Sequence, residues 1–141
     1  MLLCEAIAAW AGTQVSGTWS ARPAPALDLE KLVGRVQVVW PFGREVEMQT
    51  RGRGKVIRPE FALAIAHRLP PPPTDPVEQF DIEMKRIEDL ADAILGVSLS
   101  VGSRTATFMT SRHEPLFDRT FLEQHRVIAC AVVVGAIIHT T

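Results

Sequence analysis

The residues best able to do chemistry are few. His113, Glu114, Asp118 and His125 bring two imidazoles and two carboxylates into one short stretch, the donor types of a divalent-metal site. Their intervals match no zinc pattern, and they run from a loop into a strand, so no metal is expected. Serine catalysis has no foothold, because no serine occupies a Gly-x-Ser-x-Gly elbow and no cysteine stands beside a histidine. Arg51, Gly52, Arg53, Gly54 and Lys55 have the look of a phosphate loop. The Gly-x-x-x-x-Gly-Lys-Ser/Thr spacing is absent, however, and no helix start follows. The glycines fit a hairpin tip that needs positive φ. No catalytic, cofactor-binding or metal-ligating residue is assigned, and the chain is read as a non-enzyme without cofactors.

What remains is charge. Fifteen Lys and Arg against sixteen Asp and Glu leave a net charge of −1, too little to recruit nucleic acid or an anionic membrane globally. Locally the balance is uneven. Arg44, Arg51, Arg53, Lys55 and Arg58 face only two acids within their segment, Glu45 and Glu47. Asp75, Glu78, Asp81, Glu83, Glu88, Asp89 and Asp92 face only Lys85 and Arg86. One reading is two solvated faces, with Asp81 and Lys85 as an i,i+4 pair. The other is a head-to-tail contact between copies, basic segment to acidic helix, the arrangement that closes rings. Its candidate residues are Arg44, Arg51, Arg53, Lys55 and Arg58 on one side and Asp81, Glu88, Asp89 and Asp92 on the other.

These segments need elements to hold them. The chain has 141 residues, 47% hydrophobic and 22% charged, which suits one globular domain over 1–141. Leu2, Leu3, Ala6, Ile7 and Trp10 predict a short first helix stopped at Gly12. Residues 13–26 read as a connector in which Trp19 covers the core edge, and 27–33 as a helical turn. A strand over 35–40 ends at Pro41, a second covers 44–50, and a third runs through Phe61, Leu63 and Ile65 on one face and Ala62, Ala64 and Ala66 on the other. The alanine face implies close approach by another element, or a subunit contact. Pro59 forfeits a ladder donor and so predicts a sheet edge or strand start.

The tetraproline at 70–73 makes a stiff Pro-rich connector over 70–76. Asp75 as N-cap, Pro76 at the first helical position and Glu78 three residues after the cap predict a helix start. Val77, Phe80, Met84, Ile87, Ala91, Ile94 and Leu95 make its apolar stripe, and Gly96 its end. Beyond it, 97–108 reads as a strand, 111–118 as a loop and 121–138 as a long closing strand. Its twelve-residue apolar run, 127–138, is too short to span a membrane as a helix, which needs about 20 residues. Glu5 interrupts the N-terminal apolar run, so neither a secretion signal nor a membrane anchor is expected. Cys4 and Cys130 sit in apolar stretches, as free buried thiols do. The fold class is α+β: a mainly antiparallel sheet with a long helix and a short N-terminal helix packed on one face.

Set in this order, the residues resemble a known family. Leu27-Asp-Leu-Glu-Lys-Leu leading into Val36-Gln-Val-Val-Trp-Pro, a Gly-Arg-Glu turn at 43–45 and Arg51-Gly are similar to the front half of tail-terminator (tail-completion) proteins of long-tailed bacteriophages and prophages. The helix around Ile87-Glu-Asp-Leu-Ala-Asp-Ala-Ile, then Asp118 and Phe121-Leu-Glu-Gln-His-Arg before the last strand, resemble the back half. The resemblance implies a structural virion protein of the tail or neck, assembled in the host cytoplasm as a homo-oligomeric ring, usually a hexamer. Such a ring stops tail-tube polymerisation and joins the tube to the head connector, so its partners are copies of itself, the tail tube protein and a head-tail connector or neck protein. DNA passing through the lumen would reconcile the basic hairpin with a structural role. Two alternatives stand beside it: another phage neck or head-completion protein, and a small nucleic-acid-binding module using Arg51, Arg53, Lys55 and Arg58. Against the second, near-neutral charge, six Phe, three Trp and no Tyr leave little for base stacking. A small hydrolase ranks third.

Overall fold

A computed structural model describes residues 2–23, 34–48, 55–69, 76–113 and 126–140. The elements are α1 (Leu2–Gln14), β1 (Trp19–Ala21), β2 (Arg35–Met48), β3 (Lys55–Arg68), α2 (Pro76–Ile94), β4 (Ser98–Val101), β5 (Arg104–His113) and β6 (Val127–Thr140). The strands form one six-stranded sheet in the order β1-β2-β3-β6-β5-β4. β1 runs parallel to β2, and the other four pairings are antiparallel. The result is a mixed sheet with two helices, broadly α+β.

α1 packs against β1, β2 and β4, so it touches both edges of the sheet. Laid flat, those edges would stand five strand spacings apart, about 24 Å, twice the width of a helix. The sheet must therefore curl around α1. Inside the curl Cys4, Ile7, Ala8 and Ala11 of α1 join Ile87, Leu90, Ala91 and Ile94 of α2 in one cluster with Phe61, Leu63, Ile65, Phe108, Cys130 and Val132. Phe61 and Phe108 meet as tilted rings with centroids 6.3 Å apart, a favourable aromatic geometry. No helix in the described residues is long and apolar enough to cross a membrane.

The other face of the sheet is also buried. Val38, Ala64 and Ala131 form one row across β2, β3 and β6, and Trp40, Ala62 and Val133 form the next. This cluster draws no residue from either helix. The alternation read from β3 holds: Phe61, Leu63 and Ile65 belong to the helix side, Ala62 and Ala64 to the other. Ala62 is 1% and Ala64 0% exposed in the single chain, so of the two alternatives read from the sequence this strand is covered on both faces within the chain.

Several boundaries differ from the sequence reading, each for a physical reason. α1 does not stop at Gly12 but continues to Gln14, with Val15 N–H still donating to the Ala11 carbonyl. The break falls at Gly17, whose φ is +113° and where a Cβ would stand 2.6 Å from Gln37 Nε2, so only glycine fits. The face of α1 includes Ile7, with Leu3 and Trp10 at its margin, as the spacing predicts, but it also takes in residues the spacing does not pick out. Leu2 is 66% exposed, whereas Cys4 and Ala11 are buried, since a helix apolar nearly all round carries little periodic signal. The expected connector contains β1, a three-residue edge strand recruited by β2. Trp19 lies within it, buried as expected, with its indole N–H directed at the Val15 carbonyl at 3.4 Å.

β2 is a single strand and does not end at Pro41. A register shift between Pro41 and Gly43 absorbs the proline and the chain stays paired with β3 to Met48. Pro59 lies neither at an edge nor at a strand start, but inside β3 between β2 and β6. The β3–β6 ladder skips Arg58 and Pro59 between Ile57↔Ile138 and Glu60↔Gly135, so the missing donor falls where no bond is made.

α2 begins at Pro76 as read, while its cap residue Asp75 and the prolines 70–73 lie outside the described residues. It closes at Gly96, φ +85°, the left-handed stop that glycine adopts without strain. The predicted strand over 97–108 is a hairpin, β4 and β5, turning at Gly102 and Ser103. The predicted loop at 111–118 loses its first three residues to β5, which pairs with β6 through His113. Of the predicted closing strand, β6 accounts for Val127 onward. Residues 27–33 and 121–125 lie outside the described residues.

Candidate functional site

The candidate surface is built on α2 and on the far ends of β2, β3, β5 and β6. On α2, Ile87, Leu90 and Ile94 are at most 1% exposed, and Phe80 and Met84 pack at the margin of the same cluster. Leu95, counted in the stripe from its spacing, is 45% exposed. It stands one residue before the reversal at Gly96, where the chain leaves the helix direction. The stripe is completed instead by Leu90 and by a carboxylate, Glu83, which is 1% exposed.

Glu83 fastens the helix to the sheet. Its Oε2 accepts from Arg35 Nη2 at 3.2 Å and its Oε1 from Arg86 Nη1 at 2.9 Å. His67 Nδ1 lies 3.7 Å from Oε1, beyond hydrogen-bond range. Antiparallel pairing sets Arg35 directly opposite His67, so one carboxylate of α2 holds the end of β2 and lies beside the end of β3. Burial lowers the Arg35 guanidinium below its ordinary value, an effect Glu83 opposes. The same carboxylate reaches the core thiol: burial first, then the charges of Glu83 and Glu88, push Cys130 up to about 12. Cys4 is raised too, chiefly by burial. Both cysteines are free and buried, as expected. The sequence reading counted Glu83 among solvated acids; its place three residues after Phe80 and four before Ile87, on the apolar stripe, was the missed signal.

With α2 anchored this way, its acids point outward. Asp81, Glu88, Asp89 and Asp92 are all exposed. Lys85 pairs with Asp89 at 3.4 Å, not with Asp81 as the spacing suggested. Both pairs are four residues apart, and Asp89 follows Lys85 toward the C-terminal end. Glu88 and Asp92 also line a groove of about 300 Å³ between α2 and β5, with Ser111, Arg112 and Val132.

The basic residues do not form one patch. Arg44 pairs with Pro59 and Arg58 with Glu45, on successive rungs of the β2–β3 ladder, so the two arginines project to opposite faces of the sheet. Both are exposed. Lys55 sits between Met48 and Thr140 on the last described rung. Arg51 and Arg53 lie outside the described residues, as do Glu114, Asp118 and His125. Among the described residues no three His, Cys, Asp or Glu side chains gather as for a metal.

On the sheet face away from the helices, the row beyond Trp40, Ala62 and Val133 becomes polar. Arg112 pairs with Glu60, and its guanidinium lies 5.5 Å from the centre of the Phe42 ring, within cation–π range. Beside them a hollow of about 170 Å³ opens over Gly135, lined by Arg58, Glu60, Met109, Thr110 and Ile137. Register shifts between Pro41 and Gly43 in β2, and between Phe108 and Thr110 in β5, flank it. The second shift turns Met109 outward, to 56% exposure, and Phe42 is 47% exposed.

No family model matches the chain, and no curated protein matches it. Among solved structures it is similar to the sheath/tube terminator of an extracellular contractile injection system, PVC, in the extended state. The TM-score is 0.49 at 8% identity, over 99% of this chain and 56% of that one, so the chain spans little more than half that protein's length. It is also similar to a chain of the virion of a native gene transfer agent particle, with a TM-score of 0.49 at 14% identity over 95% of this chain and 84% of that one.

Proposed function

We propose that the chain is a structural subunit of a phage-type tail, one copy of a ring that ends the tail tube at its head-proximal end and joins it to the neck. Its partners are then further copies of itself in a hexameric ring, together with tail tube and connector proteins. The reading starts from the resemblance of the sequence to tail terminators.

The observation that carries it in this structure is the separation of the two charged segments. α2 runs alongside β6 and closes where Gly96 N–H donates to the Phe108 carbonyl, level with Ala136. The β2–β3 pair continues from Pro59 to Lys55 beyond that level, about 13 Å further at the rise of a strand. The acids of α2 and Lys55, at the far end of β3, thus occupy different parts of one subunit, which supports a head-to-tail contact. The proposal includes no catalytic step.

The test is in the assembled particle. Deleting the chain should give tails of uncontrolled length that fail to join heads, and restoring it should return uniform, capped tails by electron microscopy. Tails of normal length and normal joining in the deletion would refute the proposal.

A further inference from the structure

We infer that one copy docks on the next by strand pairing, with the outer edge of β4 in one copy against the outer edge of β2 at residues 45–48 in the other, so that the sheet continues from subunit to subunit. The inference rests on the ring reading above and names the contact that closes the ring. It begins from the two ends of the sheet. β1 covers β2 only at Gln37, Val38 and Val39, and one further bond on that side runs from Arg22 N–H to the Val39 carbonyl. Among the described residues nothing pairs with β2 beyond that point on its outer side, or with the outer side of β4.

The two edges are level. Leu99, Ala106, Ile138, Ile57 and Val46 stand in one row across β4, β5, β6, β3 and β2. A second copy that sets its Val46 beside Leu99 extends this row with no slip along the strands. Rotation alone then relates the copies, the condition for a ring rather than a filament. Four antiparallel pairings separate β2 from β4, so the two strands run the same way and meet in parallel, as β1 and β2 already do. Nor do the short edge strands collide. β4 lies level with 45–48, while β1 of the incoming copy stops at Val39, and the two share one column with residues 40–44 between them. Pro41 falls in that interval, where its missing donor is not needed.

The chemistry of β4 suits this role. Its sequence, Ser98-Leu99-Ser100-Val101, has none of the charges, prolines or bulges that keep an edge strand single. Val97 and Leu99 pack on the core inside the curl, whereas Ser98 and Ser100 are exposed and bond to Thr107 and Thr105 of β5, each at 2.9 Å. Leu99 and Val101 are only half-buried, and an added strand covers them further. Glu45 and Glu47 of the incoming strand meet no charge on β4. Next along that strand is Arg44, which shares the helix side of the sheet because Arg58, beside the core residue Ile57, faces the other way. It arrives near the level of Gly96. There α2 ends with Asp92 exposed and no basic residue in its last turn, a helix terminus that favours a cation.

The experiment uses particles assembled with variant subunits. The Val97 carbonyl accepts from Phe108 N–H on the β5 side, so by alternation the backbone groups of Ser98 and Ser100 face outward. Ser100→Pro therefore removes an outward donor and leaves the β4–β5 bonds in place. It should lower ring occupancy by about tenfold or more, since the proline also sets its ring against the incoming strand. Ser103→Asp, at the exposed β4–β5 turn, should leave occupancy unchanged. Thermal melts of the purified variants establish that both fold. As an independent readout, a Ser100→Cys subunit and a Glu47→Cys subunit, each one residue on from the Leu99 and Val46 row, are co-assembled and treated with a short bis-maleimide. Cross-linked dimers should form in the mixture and not with either variant alone, the native cysteines being buried. Wild-type ring occupancy in folded Ser100→Pro, absence of the mixed cross-link in assembled rings, or cross-linking of Ser100→Cys with itself would overturn the contact and leave the ring reading standing. Absence of this chain from the tail ends of wild-type particles would instead overturn the ring reading itself.

Discussion

Replacing Glu83 isolates the contribution of the buried carboxylate. Its side chain is 2% exposed and serves two guanidiniums, at 3.2 Å from Arg35 and 2.9 Å from Arg86. Removing one partner of a buried ion pair typically costs about 3–5 kcal/mol, because the remaining charge is left unpaired. The Arg35 and Arg86 side chains here are 24% and 40% exposed, so both can recover part of their hydration, and the expected loss for Glu83→Gln falls near 2–4 kcal/mol. With a urea m-value of about 2 kcal/mol/M, the unfolding midpoint should drop by about 1–2 M. The double variant Glu83→Leu/Arg35→Leu should lose less than the sum of its single changes, since it removes the charge together with its partner. Equilibrium urea unfolding followed by tryptophan fluorescence measures all four corners of the cycle. A Glu83→Gln change below about 0.5 kcal/mol, or strict additivity in the cycle, would refute the claim that this carboxylate anchors α2 to β2.

Four further outcomes follow from burial. Ile87→Ala should cost about 2–5 kcal/mol, since Ile87 is 0% exposed, and Phe80→Ala less than the usual range for a core phenylalanine, because Phe80 only borders the cluster; equal losses in denaturant titrations would contradict the burial order. Ala64→Leu should destabilise by about 1–3 kcal/mol through overpacking, as Ala64 is fully buried on the face without helices, and an unchanged melting temperature would mean that face is open. Cys130, held near 12, should react with iodoacetamide at pH 8 about 10³-fold more slowly than a free thiol, whose thiolate fraction is far larger. The raised value also fixes the sign of a pH effect: the thiol's contribution to stability is complete below the ordinary cysteine value near 8.5 and is lost as pH rises toward 12. Alkaline denaturation should therefore soften in Cys130→Val, and an identical alkaline limb in both proteins would refute it.

The features legible in the amino-acid order were local. Pro76 and Gly96 bracket α2 because a proline lacks only a donor that the first turn does not use and a glycine takes the left-handed stop at no cost. The alternation of Phe61, Leu63 and Ile65 with Ala62 and Ala64 survives because side chains in a strand alternate whatever lies on either side. The opposite charge of the two segments is likewise a property of the sequence. Their relation in space is not. Only the register of β2 on β3 sends Arg44 and Arg58 to opposite faces, and only the curl of the sheet brings both of its edges to α1. β1 was invisible because three residues carry no period, and the shifts at Pro41/Gly43 and Phe108/Thr110 because a bulge depends on the partner strand. Glu83 looks like any other acid of a charged helix until Arg35 and His67, far away in the chain, are carried to it by strand pairing. A buried charge is tolerable only where its partners arrive, and their arrival is a long-range event that tertiary structure alone decides.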